Sequence, residues 1–285
     1  MRTALVLEGG SLRCMFTTGV LDVLMEHNIK FDGVFGVSAG SLTGINYVSQ
    51  QPSRTKNVNV NFVGDHRFLG MRSFFKNGSV FNFDFLFGEV SNIYLPLDLA
   101  AFESSPIEFT ACATSLETGN PVYFSKHSSS NIMTAVRAGS SMPLLSKPIE
   151  IDGSLYLDGG ISVAIPYQKA IDEGYDKILI ITTREHGFRK SMPRPSVMKL
   201  YVKAFADYPK FLKSLLEMPR MYAREMAEVD KLELDKKACV IRPKKPINIS
   251  RTEKDTTKLL ELYAEGRRVG AKKLPPTTKY LSDNS

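Results

Sequence analysis

Two strand–turn–helix units open the chain. Residues 3–7 form a short unbroken apolar run that stops at Gly9-Gly10, and residues 34–37 form a second that stops at Ser38. A strand that is apolar at every position is buried on both faces, as in a parallel sheet covered by helices. Between the runs, Phe16, Val20, Val23, Leu24 and His27 recur at three- and four-residue spacing, which predicts an amphipathic helix. Residues 39–48 predict a second helix, whose small side chains at Ala39, Gly40, Ser41 and Gly44 allow a close approach to the sheet. Strand, helix, strand, helix within fifty residues requires parallel strands with helical crossovers, so the fold class is α/β.

The rest of the chain supports one α/β domain over residues 1–285. Residues 107–114 and 122–125 predict strands joined by a turn, and 129–138 a helix with a serine as N-cap and Gly139 as its stop. Residues 149–151 and 155–157 flank Asp152-Gly153-Ser154, a hairpin signal, and Asp158-Gly159-Gly160 follows at the exit. A helix over 167–173 and a strand over 178–182 complete another crossover. Beyond Arg184 the texture changes to a basic helical segment near 190–235, punctuated by Pro193, Pro195, Pro209 and Pro219, then a strand at 238–241 and a helix over 252–270. Residues 52–105 show no clean period, although seven of the 17 Phe lie between Phe68 and Phe87.

Gly36-Val37-Ser38-Ala39-Gly40 is the sharpest chemical signal. A serine on a tight strand-to-helix turn presents its hydroxyl, and the flanking glycines avoid collisions at the turn. The helix that starts there aims its positive end at developing negative charge. Gly9-Gly10-Ser11-Leu12-Arg13 ends the first strand and opens a helix, so consecutive N–H groups can form an anion-binding nest. A dinucleotide loop is excluded: Ser11 and Cys14 break the glycine pattern, and no acidic residue closes the second strand. An oxyanion hole formed by Gly9, Gly10 and Ser11 fits better, since neighbouring parallel strands bring both turns to one sheet edge. Arg13 either supports that loop or binds an anionic group. Asp158 reads as turn chemistry or as a catalytic carboxylate projected by its hairpin. Of four histidines, His27 suits packing or capping, and His66 and His127 lie in loops without a motif. His186 follows Ser38 and Asp158 in the order of an α/β-hydrolase triad and is the rival base.

Taken together, these residues resemble the patatin-like phospholipase family. Glu8-Gly9-Gly10-Ser11-Leu12-Arg13-Cys14, Gly36-Val37-Ser38-Ala39-Gly40 and Asp158-Gly159-Gly160 stand in the family's order, and Arg137-Ala138-Gly139-Ser140-Ser141-Met142-Pro143 looks like the segment before the last motif. The resemblance covers residues 3–183. It implies a three-layer α/β/α sandwich with a mainly parallel sheet, and acyl-ester hydrolysis by a Ser38–Asp158 dyad without histidine, metal or cofactor. Ser38 would attack the carbonyl and Asp158 would take its proton, with Arg13, Gly36, Gly40, Gly159 and Gly160 in support. Ser11 and Cys14 depart from the loop glycines usual in the family, and Ser11 still supplies an N–H. An aspartate is a weak base at its ordinary pKa of about 3.9, so the site has to be desolvated. The phenylalanine-rich stretch suits an acyl pocket or plain core packing equally. Two rivals remain: a triad esterase or acyltransferase using His186, and a catalytically silent lipid-binding protein.

The partner surface is suggested by charge. Residues 1–183 carry 13 basic and 17 acidic side chains and residues 184–285 carry 24 and 13, so the net +7 divides into −4 and +11. Such asymmetry suits an anionic partner. With a lipid or other acyl ester as the expected substrate, peripheral contact with an anionic membrane is expected and nucleic acid is not. Lys199, Lys203, Lys210 and Lys213, interleaved with Tyr, Phe and Leu, could lay their stems on apolar surface and their charges in a headgroup layer. Three dispersed cysteines, no signal-peptide pattern and no apolar run of roughly 18 residues predict a soluble protein of the cytoplasm, peripheral at most to the inner membrane face.

Overall fold

The computed structural model describes residues 1–70, 73–75, 78–127 and 131–283. Eight strands form one sheet: β1 (Thr3–Leu7), β2 (Gly33–Val37), β3 (Glu108–Ser115), β4 (Pro121–Ser125), β5 (Ile149–Ile151), β6 (Ser154–Asp158), β7 (Lys177–Ile181) and β8 (Ala238–Ile241). Their order is β5-β6-β3-β2-β1-β7-β8, with β4 paired to β3 outside that path. The run β3-β2-β1-β7-β8 is parallel throughout, and β4, β5 and β6 join antiparallel. The sheet is therefore mixed and mainly parallel, flanked by helices on both faces.

Alternation along the central strands feeds two cores. In β1, Leu5 and Leu7 enter one cluster, which also holds Leu179 and Ile181 of β7. Ala4 and Val6 enter the other, with Ile178 and Ile180. A residue period of two thus places adjacent side chains in different layers, which is why these strands read as continuously apolar. On the first face lie α1 (Cys14–Glu26), α2 (Ala39–Val48), α3 (Arg54–Phe62), α4 (Leu99–Ser104) and α5 (Ile132–Gly139). The second face carries α6 (Tyr167–Asp172) and α8 (Pro209–Leu234), with α7 (Pro195–Ala204) before α8. The last helix, α9 (Thr256–Ser282), returns to the first face.

Four local expectations are corrected. Helix α1 is buried from Cys14 to Met25 rather than amphipathic, because α9 covers the side that would face water. The two helices touch backbone to backbone: a Cβ on Gly19 would collide with the Tyr263 carbonyl, and one on Gly266 with the Phe16 carbonyl. Helix α8 runs unbroken through Pro219, with Pro209 in its first turn. Helix α9 starts at Thr256, capped by the Asp255 carboxylate, and continues through Pro275-Pro276 to Ser282, twelve residues past the expected end. Packing against α1 and the sheet overrides the breaker signal at both prolines. Helix α5 is capped by Asn131, which accepts from Thr134 N at 3.0 Å, while the serine expected at 129 lies outside the described residues. The unreadable stretch contains a helical turn at Phe83–Phe85 and a π-helix at Leu86–Tyr94, a geometry frequent at functional sites.

Candidate active site

Strand β2 ends at Ser38, whose backbone is held at φ 53° and ψ −128°. That conformation is strained for a residue with a Cβ, and it is over-determined here by the packing on either side. A Cβ on Gly36 would lie 2.6 Å from Ser41 Cα, and one on Gly40 2.6 Å from the Leu7 carbonyl oxygen. Both glycines are therefore needed for the turn to lie against its own helix and against β1. The result is a serine hydroxyl at the N-terminus of α2.

Asp158 arrives from the antiparallel side of the sheet. Its position at the end of β6, paired to Ala113 of β3, carries it beside Ser38 across the β2–β3 pair. Ser38 Oγ donates to Asp158 Oδ2 at 2.7 Å, and the other oxygen accepts from Gly160 N at 2.8 Å. The Asp158 N–H donates to the Ser141 carbonyl and its own carbonyl accepts from Thr114 Oγ1, so the residue is fixed from four directions. The Ser141 hydroxyl in turn donates to the Arg137 carbonyl at 2.9 Å, which ties the 137–143 segment to the aspartate. Gly159 packs against the Cys112 carbonyl, where a side chain would collide. Burial raises the Asp158 pKa above its ordinary value, opposed by the Ser38 and Gly160 hydrogen bonds and by the charges of Arg251 and Lys190.

The glycine loop lies against the serine: a Cβ on Gly9 would be 3.1 Å from Ser38 Cβ. The Gly9 N–H is directed to the Ala164 carbonyl at 3.5 Å. Gly10 N and Ser11 N make no hydrogen bond among the described residues, which leaves them as the loop's available donors. Ser11 adopts φ 50° and its hydroxyl donates to the Arg251 carbonyl at 2.9 Å. Cys14, the other departure from the glycine pattern, points its thiol at the Glu8 carbonyl, and burial pushes that thiol up to about 12. It stays protonated and packs as a small apolar group.

Beyond Glu8 and Arg13, which stand in the first motif, several contributors carried no sequence signal. Glu8 is buried, accepting from Thr183 N at 2.6 Å and from the Tyr222 hydroxyl at 2.9 Å, and burial raises its pKa. Glu225 Oε2 accepts from Ala164 N at 2.9 Å and Ile165 N at 3.2 Å, which holds the chain segment after Gly159-Gly160. Arg13, Arg184, Lys190 and Arg251 gather around the loop, and the Arg13 Nε is buried without a hydrogen-bond partner. Lys190 sits over the Tyr222 ring, and burial lowers its pKa to about 8. Three of these four cations come from the basic back half of the chain, so part of its charge faces the site rather than solvent.

None of the four histidines touches Ser38 or Asp158. His186 is exposed and pairs with Asp230 at 3.3 Å, His27 Nδ1 meets the Val23 carbonyl, and His66 and His127 pair with Asp65 and Glu108. Beside Ser38 opens a narrow, largely apolar pocket with a cavity volume of about 100 Å³. Leu42, Val58, Phe68, Phe81, Phe83 and Phe87 line it, so the phenylalanine-rich stretch supplies both a pocket wall and core packing. No group of three His, Cys, Asp or Glu among the described residues has metal-holding geometry.

A serine on a strained strand-to-helix turn, bonded to a buried aspartate beside an apolar pocket, marks the candidate site of this α/β protein. The patatin-like phospholipase family model matches residues 5–171, well over half of the chain, and the protein belongs to that family. A second model, a domain of unknown function (DUF6363), matches residues 208–282. Among relatives, the chain is 33% identical over 187 residues to "Uncharacterized protein YjjU" of Escherichia coli, covering 64% of this chain and 52% of that one. It is 27% identical over 172 residues to "Uncharacterized NTE family protein Mb1092c" of Mycobacterium bovis, covering 58% and 44%. It is 28% identical over 190 residues to "Lysophospholipase nte1" of Aspergillus terreus, covering 62% of this chain and 12% of that much longer protein. The matched region thus spans about half or less of the length of these relatives.

Proposed function

We propose that the protein is a lipid acyl hydrolase of phospholipase or esterase type in which Ser38 is the nucleophile and Asp158 the proton acceptor. The carrying observation is the 2.7 Å bond from Ser38 Oγ to Asp158 Oδ2 at the mouth of the apolar pocket. Ser38 Oγ adds to the ester carbonyl while its proton passes to Asp158. The N–H groups of Gly10 and Ser11, with Gly9 shaping the loop, face the oxygen that gains charge. Collapse of the tetrahedral intermediate expels the alcohol, which takes the proton back from Asp158, and water then repeats the sequence on the acyl-enzyme. Desolvation makes Asp158 a stronger base than an exposed carboxylate, while its hydrogen bonds and the nearby cations favour its ionised form. The family membership and the name of the fungal relative support a lipid ester as substrate.

The test is labelling with a serine-directed fluorophosphonate, followed by a screen of short- and long-chain esters and phospholipids. The expected result is labelling of Ser38 alone and ester turnover that Ser38→Ala abolishes. An unlabelled, inactive protein would overturn the hydrolase reading in favour of a silent lipid binder.

A further inference from the structure

The pocket beside Ser38 has a polar end. Its wall follows one face of α2, where Ala39, Leu42, Thr43 and Asn46 fall at three- and four-residue spacing. From Ser38 to Asn46 that face extends about 12 Å, eight residues at ~1.5 Å each. At the Asn46 end the apolar lining gives way to Arg54. Its Nη1 donates to Asn46 Oδ1 at 2.9 Å, its Nη2 to Ser91 Oγ at 3.0 Å and to the Leu95 carbonyl at 2.8 Å, and its Nε to that carbonyl at 3.1 Å. Asn46 Nδ2 donates onward to Thr55 Oγ1 at 2.7 Å, and Ser91 Oγ to the Leu86 carbonyl at 2.7 Å. Among the described residues no carboxylate pairs with Arg54.

This knot ties α2, α3 and the π-helix together across the end of the pocket. Ser91 meets the guanidinium from within the π-helix, whose Leu86 and Phe87 line the pocket. An acyl chain that reaches the knot gains nothing by pushing through it. Each bond broken costs a half-buried hydrogen bond, and the methyl end has none to offer in return. An extended chain advances ~1.2 Å per bond, so it meets the knot after about eight to ten carbons.

We propose that the Asn46–Arg54–Ser91 knot is a chain-length stop, which makes the pocket specific for medium-chain acyl groups. The inference rests on the hydrolase reading for its substrate, and one arm of the test does not. In the first arm, kcat/KM is measured for p-nitrophenyl esters of four, eight, ten, twelve and sixteen carbons. The expected profile peaks at eight to ten carbons and falls at least tenfold by sixteen. Leu42→Phe, which fills the pocket midway and leaves the Leu42 N–H to Ser38 carbonyl bond of the helix in place, is expected to move the peak to four carbons. In the second arm, thermal shifts of Ser38→Ala are recorded with octanoate, decanoate and palmitate below their micelle concentrations. Octanoate and decanoate are expected to raise Tm and palmitate to leave it unchanged. Turnover with a peak at sixteen carbons, or a profile indifferent to Leu42→Phe, would overturn the stop and leave the hydrolase standing. Absent turnover alongside selective stabilisation by decanoate would overturn the hydrolase and keep the stop as a feature of a binding pocket. Stabilisation by palmitate equal to that by decanoate overturns the stop whatever the activity.

Discussion

Asp158 stands where burial favours its protonated form more than in an exposed carboxylate. Burial raises its pKa, while the Ser38 hydroxyl, the Gly160 N–H and the charges of Arg251 and Lys190 partly restore the ionised form. The consequence for stability has a definite sign. With a folded pKa above the unfolded one, the native state binds the extra proton between the two values, so this group's contribution falls as pH rises through that window. Asp158→Asn is therefore expected to abolish ester turnover, by about a thousandfold or more, yet to melt higher than wild type at pH 8. Differential scanning calorimetry from pH 8 down to pH 4 should show the gap closing as the wild-type carboxyl becomes protonated. His186→Ala should leave turnover near wild type, and a loss equal to that of Asp158→Asn would restore the triad. Lys190→Met removes a cation that favours ionised Asp158, so the acidic limb of kcat/KM should move to higher pH. A downward move would show that Lys190 does not act on Asp158.

At the scale of elements, two contacts decide whether the site is assembled. One is the close crossing of α1 and α9 at Gly19 and Gly266, which carries the glycine loop's own helix. Gly19→Val forces those backbones apart in a close-packed layer and is expected to destabilise by about 3 kcal/mol, an overpacking effect at the upper end of its range. Urea unfolding checks it, and a midpoint within error of wild type would mean the crossing can relax. The other is Glu225 of α8, whose carboxylate caps the Ala164 and Ile165 N–H groups and whose pKa burial raises to about 7. Its ionised form is disfavoured in the fold, so its contribution to stability falls between about pH 4.5 and 7 and is flat above. Glu225→Gln keeps an acceptor without the charge. Its Tm at pH 8 should exceed wild type and lose that pH dependence, whereas a lower Tm at pH 8 would mean the charge itself holds the segment.

On the scale of the whole molecule, β8 joins the sheet and α9 covers α1, and we propose that the chain folds as one unit. The basic back half divides in two. Arg184, Lys190 and Arg251 turn toward the site, while Lys199, Lys203, Lys210 and Lys213 are exposed on α7 and α8. Helix α7 buries no side chain fully and leaves Leu200 and Val202 about half exposed, at 54% and 50%. Tyr201 of α7, Phe205 just after it and Phe211 of α8 pack into the cluster that holds Leu157 and Ile161, beside Asp158. We propose that this surface meets anionic membranes; no helix among the described residues is long and apolar enough to cross one. Each engaged lysine adds about 1 kcal/mol near such a surface, an attraction that salt screens. Co-sedimentation with phosphatidylglycerol vesicles should exceed that with neutral ones, weaken at high salt, and drop in the quadruple Lys→Glu variant at 199, 203, 210 and 213. Equal partitioning to both vesicle types would sink the membrane contact and leave the site chemistry untouched.

What the sequence determined by itself is what short-range chemistry encodes. The apolar runs at 3–7 and 34–37 require a parallel sheet, Gly36 and Gly40 require a tight turn at Ser38, and Asp152-Gly153 requires the hairpin that delivers Asp158. Each signal lies within a few residues of its effect. The tertiary structure decided everything that depends on which distant segments meet. The α9 cover over α1, the helices that continue through Pro219 and Pro275-Pro276, and the Glu8–Thr183–Tyr222 contacts all join residues far apart in the chain. So do the cations at the site and the Arg54 knot, which ties α2 and α3 to the π-helix and to Leu95 just after it. Burial and charge pairing are properties of the packed interior, and no local pattern announces them because the partners that create them are chosen only when the layers close.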